Sequence, residues 1–192
     1  MMHRKQVKHF HEPGHLHEFT FSCYGRRPLL AERGLLEPLS RAIDAAGEVE
    51  QFDLVAFVFM PEHVHLLTYP RGDYPNFGRY LARIKQPFSK LVKERWLAQG
   101  LSKKLESLMV RERPGKTCFR FWQEGPGYDR NLFSPDVISA SIDYLHMNPV
   151  RRELCTSAMD WEWSSARYYL LDPPCQQFAD LPRISAPQGM LD

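Results

Sequence analysis

The run from Phe52 to Met60 constrains this chain most, because it is nearly all apolar and is followed at once by Pro61-Glu62 and a second strand-like run, His63 to Tyr69. Only Asp53 is charged in the first run, which predicts a strand buried on both faces. Pro61-Glu62 supplies a short turn, so the two runs predict an antiparallel hairpin. The longest uninterrupted apolar stretch, Leu54 to Met60, is far short of a membrane span, so no membrane partner is expected. At 192 residues the chain is long enough for one domain with a real core. Hydrophobic content of 43% and charged content of 25% argue against a mostly disordered chain.

The remaining segments follow from period and punctuation. His17 to Cys23 alternates and is aromatic, which predicts a first strand ended by Tyr24-Gly25-Arg26-Arg27-Pro28. Leu35, Leu36, Leu39, Ile43 and Ala46 recur at helical spacing, predicting a helix over about 29–47 that stops near Gly47. A second helix is expected over 74–99, with Phe77, Tyr80, Leu81, Ile84, Phe88, Leu91 and Val92 on one side and Pro87 kinking or splitting it. Thr117 to Gln123 is β-rich and aromatic, and is expected to be a strand. Ser134-Pro135-Asp136 is a helix start, and that helix should run to about Met147 before Pro149. The order strand, helix, strand, strand, helix, strand, helix predicts an α+β fold. Its sheet would be antiparallel and ferredoxin-like, with helices packed mainly on one face, in a single domain over 1–171. Residues 172–192 carry four prolines and read as an extended or loose tail.

Net charge is +2, which looks mild for a nucleic-acid protein, but its distribution is uneven. Residues 79–130 hold 13 Lys and Arg against 5 Asp and Glu, while the flanking segments are net acidic. A basic middle between acidic flanks is the footprint expected of a polyanion partner, although a solvated helix face would give the same composition. No apolar stretch follows the first charges, so no signal peptide is seen. Cys23, Cys118, Cys155 and Cys175 form no Cys-x-x-Cys pair, which fits reduced thiols and a cytoplasmic protein.

His63-Val64-His65 is the sharpest chemical signal. On a strand, both imidazoles point to one face while Val64 points to the other, a natural start for a divalent-metal site that two ligands do not complete. Tyr144 and Asn148 lie one helical turn apart, so a phenolic nucleophile and a neutral oxygen ligand share a helix face. Packed on the sheet, that helix could complete a His/His/Asn site beside a hydroxyl.

Four motifs then recur in one order: Met60-Pro61-Glu62-His63-Val64-His65-Leu66-Leu67, Phe121-Trp122-Gln123-Glu124-Gly125, Tyr144-Leu145-His146-Met147-Asn148-Pro149-Val150-Arg151 and Trp161-Glu162-Trp163-Ser164-Ser165. Together they resemble the REP-associated tyrosine transposases, relatives of the single-tyrosine HUH transposases, over about residues 10–170. The resemblance implies a catalytic domain over 1–171 in which His63 and His65 bind Mg²⁺ or Mn²⁺ and Tyr144 is the nucleophile. Asn148 takes the place of a third polar ligand. The implied reaction cuts and rejoins single-stranded or hairpin DNA through a 5′-phosphotyrosine, as in DNA transposition. It leaves a monomer and a homodimer both open.

DNA contacts are expected from Arg79, Arg83, Lys85, Lys90 and Lys93 at helical spacing, and from Arg120, Gln123 and Arg130. Trp122 and Tyr128 could stack unpaired bases, and Arg151 and Arg152 could hold backbone near the nucleophile. Tyr128 is the runner-up nucleophile, in an expected loop. His146 points away from Tyr144 and is expected to make a structural hydrogen bond, with Trp161 and Trp163 as packing residues. His3, His9, His11, His15 and His17 form a second histidine-rich stretch whose Pro13-Gly14 setting argues for adventitious metal binding. Two rivals remain. One is a domesticated protein that binds structured nucleic acid without cutting it. The other is a zinc-structured module, which the scattered cysteines oppose. A histidine-triad hydrolase would need a histidine where Leu67 stands.

Overall fold

Strand β1 (Leu16–Ser22) organises the molecule through its alternation. Phe19 and Phe21 enter one core, while Leu16 enters a second core on the opposite face, which Glu18 and Thr20 share. The computed structural model describes residues 11–171 and 180–185. Strands β2 (Phe52–Met60) and β3 (His63–Pro70) form the expected hairpin across Pro61-Glu62. In chain order β4 (Met109–Arg113) and β5 (Lys116–Phe119) pair only with each other, and β6 (Tyr128–Leu132) pairs with β1. The main sheet therefore runs β2-β3-β1-β6, antiparallel throughout. The order is that of a split βαβ, ferredoxin-like core.

Helix α1 (Leu36–Glu50) buries Leu36, Leu39, Ile43 and Ala46. Its start falls later than residue 29 because Gly34, at φ 77°, interrupts the backbone after a 3-10 turn at Leu29–Ala31. Gly47 lies inside the helix, where a Cβ would meet the Phe52 carbonyl oxygen at 2.8 Å; Gln51, left-handed at φ 60°, ends it instead. Helix α2 (Phe77–Ala98) is capped by Asn76 and buries Phe77, Tyr80, Leu81, Ile84, Phe88, Val92 and Trp96. Leu91, expected among them, is exposed. Pro87 does not split the helix: it sits on the solvent side, where water can serve the carbonyl that its missing N–H leaves.

The helices lie mainly on one face, as expected, with one exception. α1 and α2 do share a face, packing on Phe19, Phe21, Phe57, Phe59, Val64 and Leu66. After the short helix α3 (Ser102–Glu106) and the β4–β5 hairpin, helix α4 (Pro135–His146) crosses the other face. There Ile138, Ile142 and Leu145 meet Leu16, Val58, Met60 and Leu67. Segment order could not show this, because α4 follows the last strand and no crossover rule fixes its side. A bulge between Leu54 and Ala56 shifts the phase of β2, so Phe52, Leu54, Phe57 and Phe59 all enter the aromatic core.

The expected strand Thr117–Gln123 is corrected. β5 ends at Phe119, and Phe121 and Trp122 are buried in the aromatic core beyond it. The fourth strand is β6, whose polar Tyr128-Asp129-Arg130-Asn131 hides an edge strand from pattern reading. Helices α5 (Asn148–Arg151) and α6 (Ala166–Leu170) follow α4. The outer edge of β2 is covered: Phe59 N donates to Trp163 O at 2.8 Å, Ser165 N to Phe57 O at 3.0 Å and Ser185 N to Leu54 O at 2.9 Å. Leu181 and Ile184 pack on the aromatic core, so this part of the tail is docked. The rest of the Pro-rich tail lies outside the described residues. Among the described residues no helix is long and apolar enough to cross a membrane.

Candidate active site

Because Val64 and Leu66 feed the aromatic core, His63 and His65 must face α4. Their Nε2 atoms stand 3.0 Å apart, so the two rings converge on one point. The other ring nitrogens are held: His63 Nδ1 lies 3.0 Å from Glu62 Oε1 and His65 Nδ1 2.8 Å from Thr20 Oγ1. Glu62 accepts from His63 Nδ1–H, which leaves Nε2 of His63 as a lone pair facing the shared point. Arg152 in turn donates to Glu62 Oε1 at 2.9 Å. Burial lowers the pKa of both imidazoles, that of His65 to about 3 with His63 adding to the effect, so both are neutral donors at pH 7. Burial alone would raise Glu62, but His63 and Arg152 outweigh it and keep the carboxyl below its ordinary value.

Tyr144 is brought opposite the pair by α4. Ser134 caps the helix, accepting from Val137 N, and its apolar stripe fixes the roll that leaves Tyr144 on the open side, 47% exposed. The Tyr144 ring lies edge-on to His65 with centroids 6.4 Å apart, and the Arg151 guanidinium sits 4.7 Å from the Tyr144 ring centroid. Between α4 and the sheet runs a groove of about 630 Å³, into which β6 turns Tyr128 and Arg130 and α4 turns Val137 and Ala140. Glu18 is buried in its floor, 3.8 Å from His65 Nδ1, and accepts from Ser141 Oγ at 3.0 Å. Burial raises the Glu18 pKa, against the pull of Ser141 and Arg130. Gly127, at φ 92°, starts β6 where a Cβ would meet Thr20 O at 2.1 Å, so only glycine lets the strand close on the floor.

Several expected site residues sit elsewhere. Asn148 is buried one turn past Tyr144, but its Nδ2 donates to the Tyr144 carbonyl at 2.9 Å, so its amide closes the end of α4 and Oδ1 alone is left for a ligand. Arg79, Arg83, Lys90 and Lys93 belong to α2, on the sheet face away from the histidines, and do not line the groove. Arg79 and Arg83 pair with Glu50, and Lys90 with Glu94. Lys85 donates to Gly125 O at 2.8 Å, and burial lowers its pKa to about 8. Trp122 is a core residue, 5% exposed, which corrects its assignment to base stacking. Arg120 pairs with Glu124, and Gln123 accepts from Gly25 N. Tyr128 is on β6 rather than in a loop, and it shares the groove with Arg130 and Tyr144.

His146 bonds Ser165 Oγ at 2.7 Å, and Trp161 and Trp163 pack against the two cores, as expected. His17 is fully buried and sits 2.9 Å from Asp129 and 3.2 Å from His11, so this part of the histidine-rich stretch is structural; His3 and His9 lie outside the described residues. No group of three His, Cys, Asp or Glu able to hold a metal gathers among the described residues. Glu18, Thr20, Glu62 and Ser141 escaped sequence reading. The alternation of Glu18 and Thr20 with Phe19 and Phe21 was the available signal for two of them.

The comparisons follow the same pattern. No protein-family model matches the chain. Over 116 residues it is 29% identical to a curated Haemophilus influenzae protein named "Putative REP-associated tyrosine transposase", a match that takes in 59% of this chain and 58% of that relative's length. A solved structure of a REP-associated tyrosine transposase bound to a REP hairpin aligns with a TM-score of 0.64 and 18% identity, covering 95% of this chain and 100% of that one. In sequence over the shared stretch, and in fold over nearly its whole length, the chain is similar to the REP-associated tyrosine transposases.

Proposed function

We propose that the chain is a single-strand DNA endonuclease and strand transferase of the transposase type, acting on hairpin DNA through Tyr144. The observation that carries this reading is the placement of Tyr144 across an open groove from two converging, neutral imidazoles. The transposase similar to it in fold is bound to a REP hairpin, which supports the same class of substrate here.

Tyr144 Oη would attack the scissile phosphorus, the bond to the 3′ oxygen would break, and a 5′-phosphotyrosine with a free 3′-hydroxyl would result. Attack by a 3′-hydroxyl on that ester reverses the step, so rejoining needs no nucleotide cofactor. Arg151 holds the Tyr144 ring and can neutralise the incoming phosphate. Glu62 and Thr20 hold the Nδ1 atoms and so keep both Nε2 atoms turned toward one shared point. The donor set fits a divalent cation, because two neutral imidazole Nε2 atoms converge 3.0 Å apart while each Nδ1 is held by another group. His63 and His65 would hold Mg²⁺ or Mn²⁺, with Asn148 Oδ1 as the remaining candidate, and the bound ion would offset charge on the phosphate. Two nitrogen donors favour Mn²⁺ in vitro.

Incubation with hairpin DNA and Mn²⁺, followed by a denaturing gel, should give a covalent adduct that Tyr144→Phe abolishes. Identical results from wild type and Tyr144→Phe would end the nuclease reading. The commitment of the Asn148 amide to Tyr144 favours one rival, a protein that holds the hairpin without cutting it, which predicts tight complexes and no adduct.

A further inference from the structure

Among the described residues three non-glycine residues have positive φ: Gln51, Glu153 and Arg26. The first two end helices, where a left-handed residue is ordinary. Arg26 has no such reason. It is the second central residue of the Tyr24–Arg27 turn, whose Gly25 and Arg26 have φ of 62° and 53°. That type I′ pattern normally takes glycine at the second central position.

The turn is held in place from several sides. Cys23 N donates to Glu62 O at 2.8 Å, Tyr24 N to Phe121 O at 2.7 Å and Gly25 N to Gln123 Oε1 at 3.2 Å. Strained backbone of this kind costs free energy and persists only where the surrounding structure over-determines it. Neighbouring arginines are occupied: Arg27 bonds Ser107, Arg152 bonds Glu62 and Arg151 lies on Tyr144. The exposed Arg26 guanidinium meets no acceptor among the described residues.

Register places the turn that carries Arg26 just past the His63 end of the histidine face. On the α4 face, Arg130 lies beside Glu18, Tyr128 and His65 flank Thr20, and His63 lies beside Ser22. The next turn of chain carries Arg26, beyond His63 at the end opposite Arg130. We propose that Arg26 binds a backbone phosphate of the substrate strand there, so that the strand runs from Arg130 past the histidines to Arg26. This assignment rests on the functional reading above.

Full-length variants would be titrated with a DNA hairpin bearing a single-stranded extension, in EDTA so that no cleavage competes, at several salt concentrations. Arg26→Gly should weaken binding about tenfold. It should also reduce the slope of log affinity against log salt by about 0.7, the share of one single-strand phosphate. Its Tm should be unchanged or raised, because glycine suits the left-handed position. Arg26→Lys should keep most of the slope, and Arg41→Ala, the same charge loss on the opposite sheet face, should leave it intact. Equal affinity and slope for Arg26→Gly and wild type would overturn the assignment, as would an equal slope loss in Arg41→Ala. A wild-type chain that forms no complex would sink the functional reading and this assignment with it.

Discussion

On the α1–α2 side of the sheet, Phe19, Phe21, Phe57, Phe59, Val64 and Leu66 meet Phe77, Tyr80, Ile84, Phe88 and Trp96. One residue along each strand, on the α4 side, stand Glu18, Thr20, Val58, Met60, His63 and His65. The strands are shared, so the contrast comes entirely from alternation. The aromatic side supplies non-directional burial, on the order of 1.5–3 kcal/mol for each large side chain. The α4 side buries polar groups that would each cost free energy alone, and it offsets that cost by pairing Thr20 with His65, Glu18 with Ser141 and His63 with Glu62. Both faces bury an apolar core, and the α4 face alone also carries the paired polar groups of the site.

Four measurements would break or sharpen that contrast. Phe19→Ala on the aromatic face should cost about 3–5 kcal/mol in urea unfolding, and a loss below about 1 kcal/mol would show that stability is not concentrated there. The next effect belongs to the α4 side. Burial lowers the His146 pKa from 6.5 to about 4, so between those values the unfolded chain binds the proton first. Stability contributed by this residue is present above about pH 6.5 and falls by up to about 3 kcal/mol as pH drops to 4. His146→Gln should flatten that part of the pH profile, and an unchanged profile would remove His146 as its source.

A smaller change is expected from Thr20→Val, which frees His65 Nδ1. Mn²⁺ affinity, followed by calorimetry, should fall about 10–100-fold while the fold survives. Unchanged affinity would mean that the hydrogen bond does not orient the ring. The smallest effect is expected from Arg79→Ala and Arg83→Ala on α2. Each variant leaves the nearly buried Glu50 carboxylate paired with the other arginine, and DNA affinity should change less than in Arg26→Gly. A larger loss in the α2 variants would move the nucleic-acid path to the aromatic side.

The β2–β3 hairpin, the histidine pair and the Ser134-capped tyrosine helix were legible because each rests on local period or capping chemistry. β6 was not, since Asp129, Arg130 and Asn131 satisfy an edge strand without any apolar alternation. The basic stripe of α2 was visible, but its side of the sheet was not, and that depends on which core Phe77, Tyr80 and Phe88 fill. Trp122 looked like a stacking platform because sequence gives its composition and not its burial. Arg26 left no signal at all, because a left-handed arginine is written like any other.

The bulge at Leu54–Ala56 bears on how insertions and deletions would be tolerated. It acts as a parity correction within β2. Ahead of it even-numbered residues feed the aromatic core, and after it odd-numbered ones do. Removing one residue there would leave the histidine half of the hairpin in frame but turn Phe52 and Leu54 toward the wrong face, away from Tyr80. Single-residue length changes in this strand should therefore be more damaging than most substitutions, although no side chain of the site is touched.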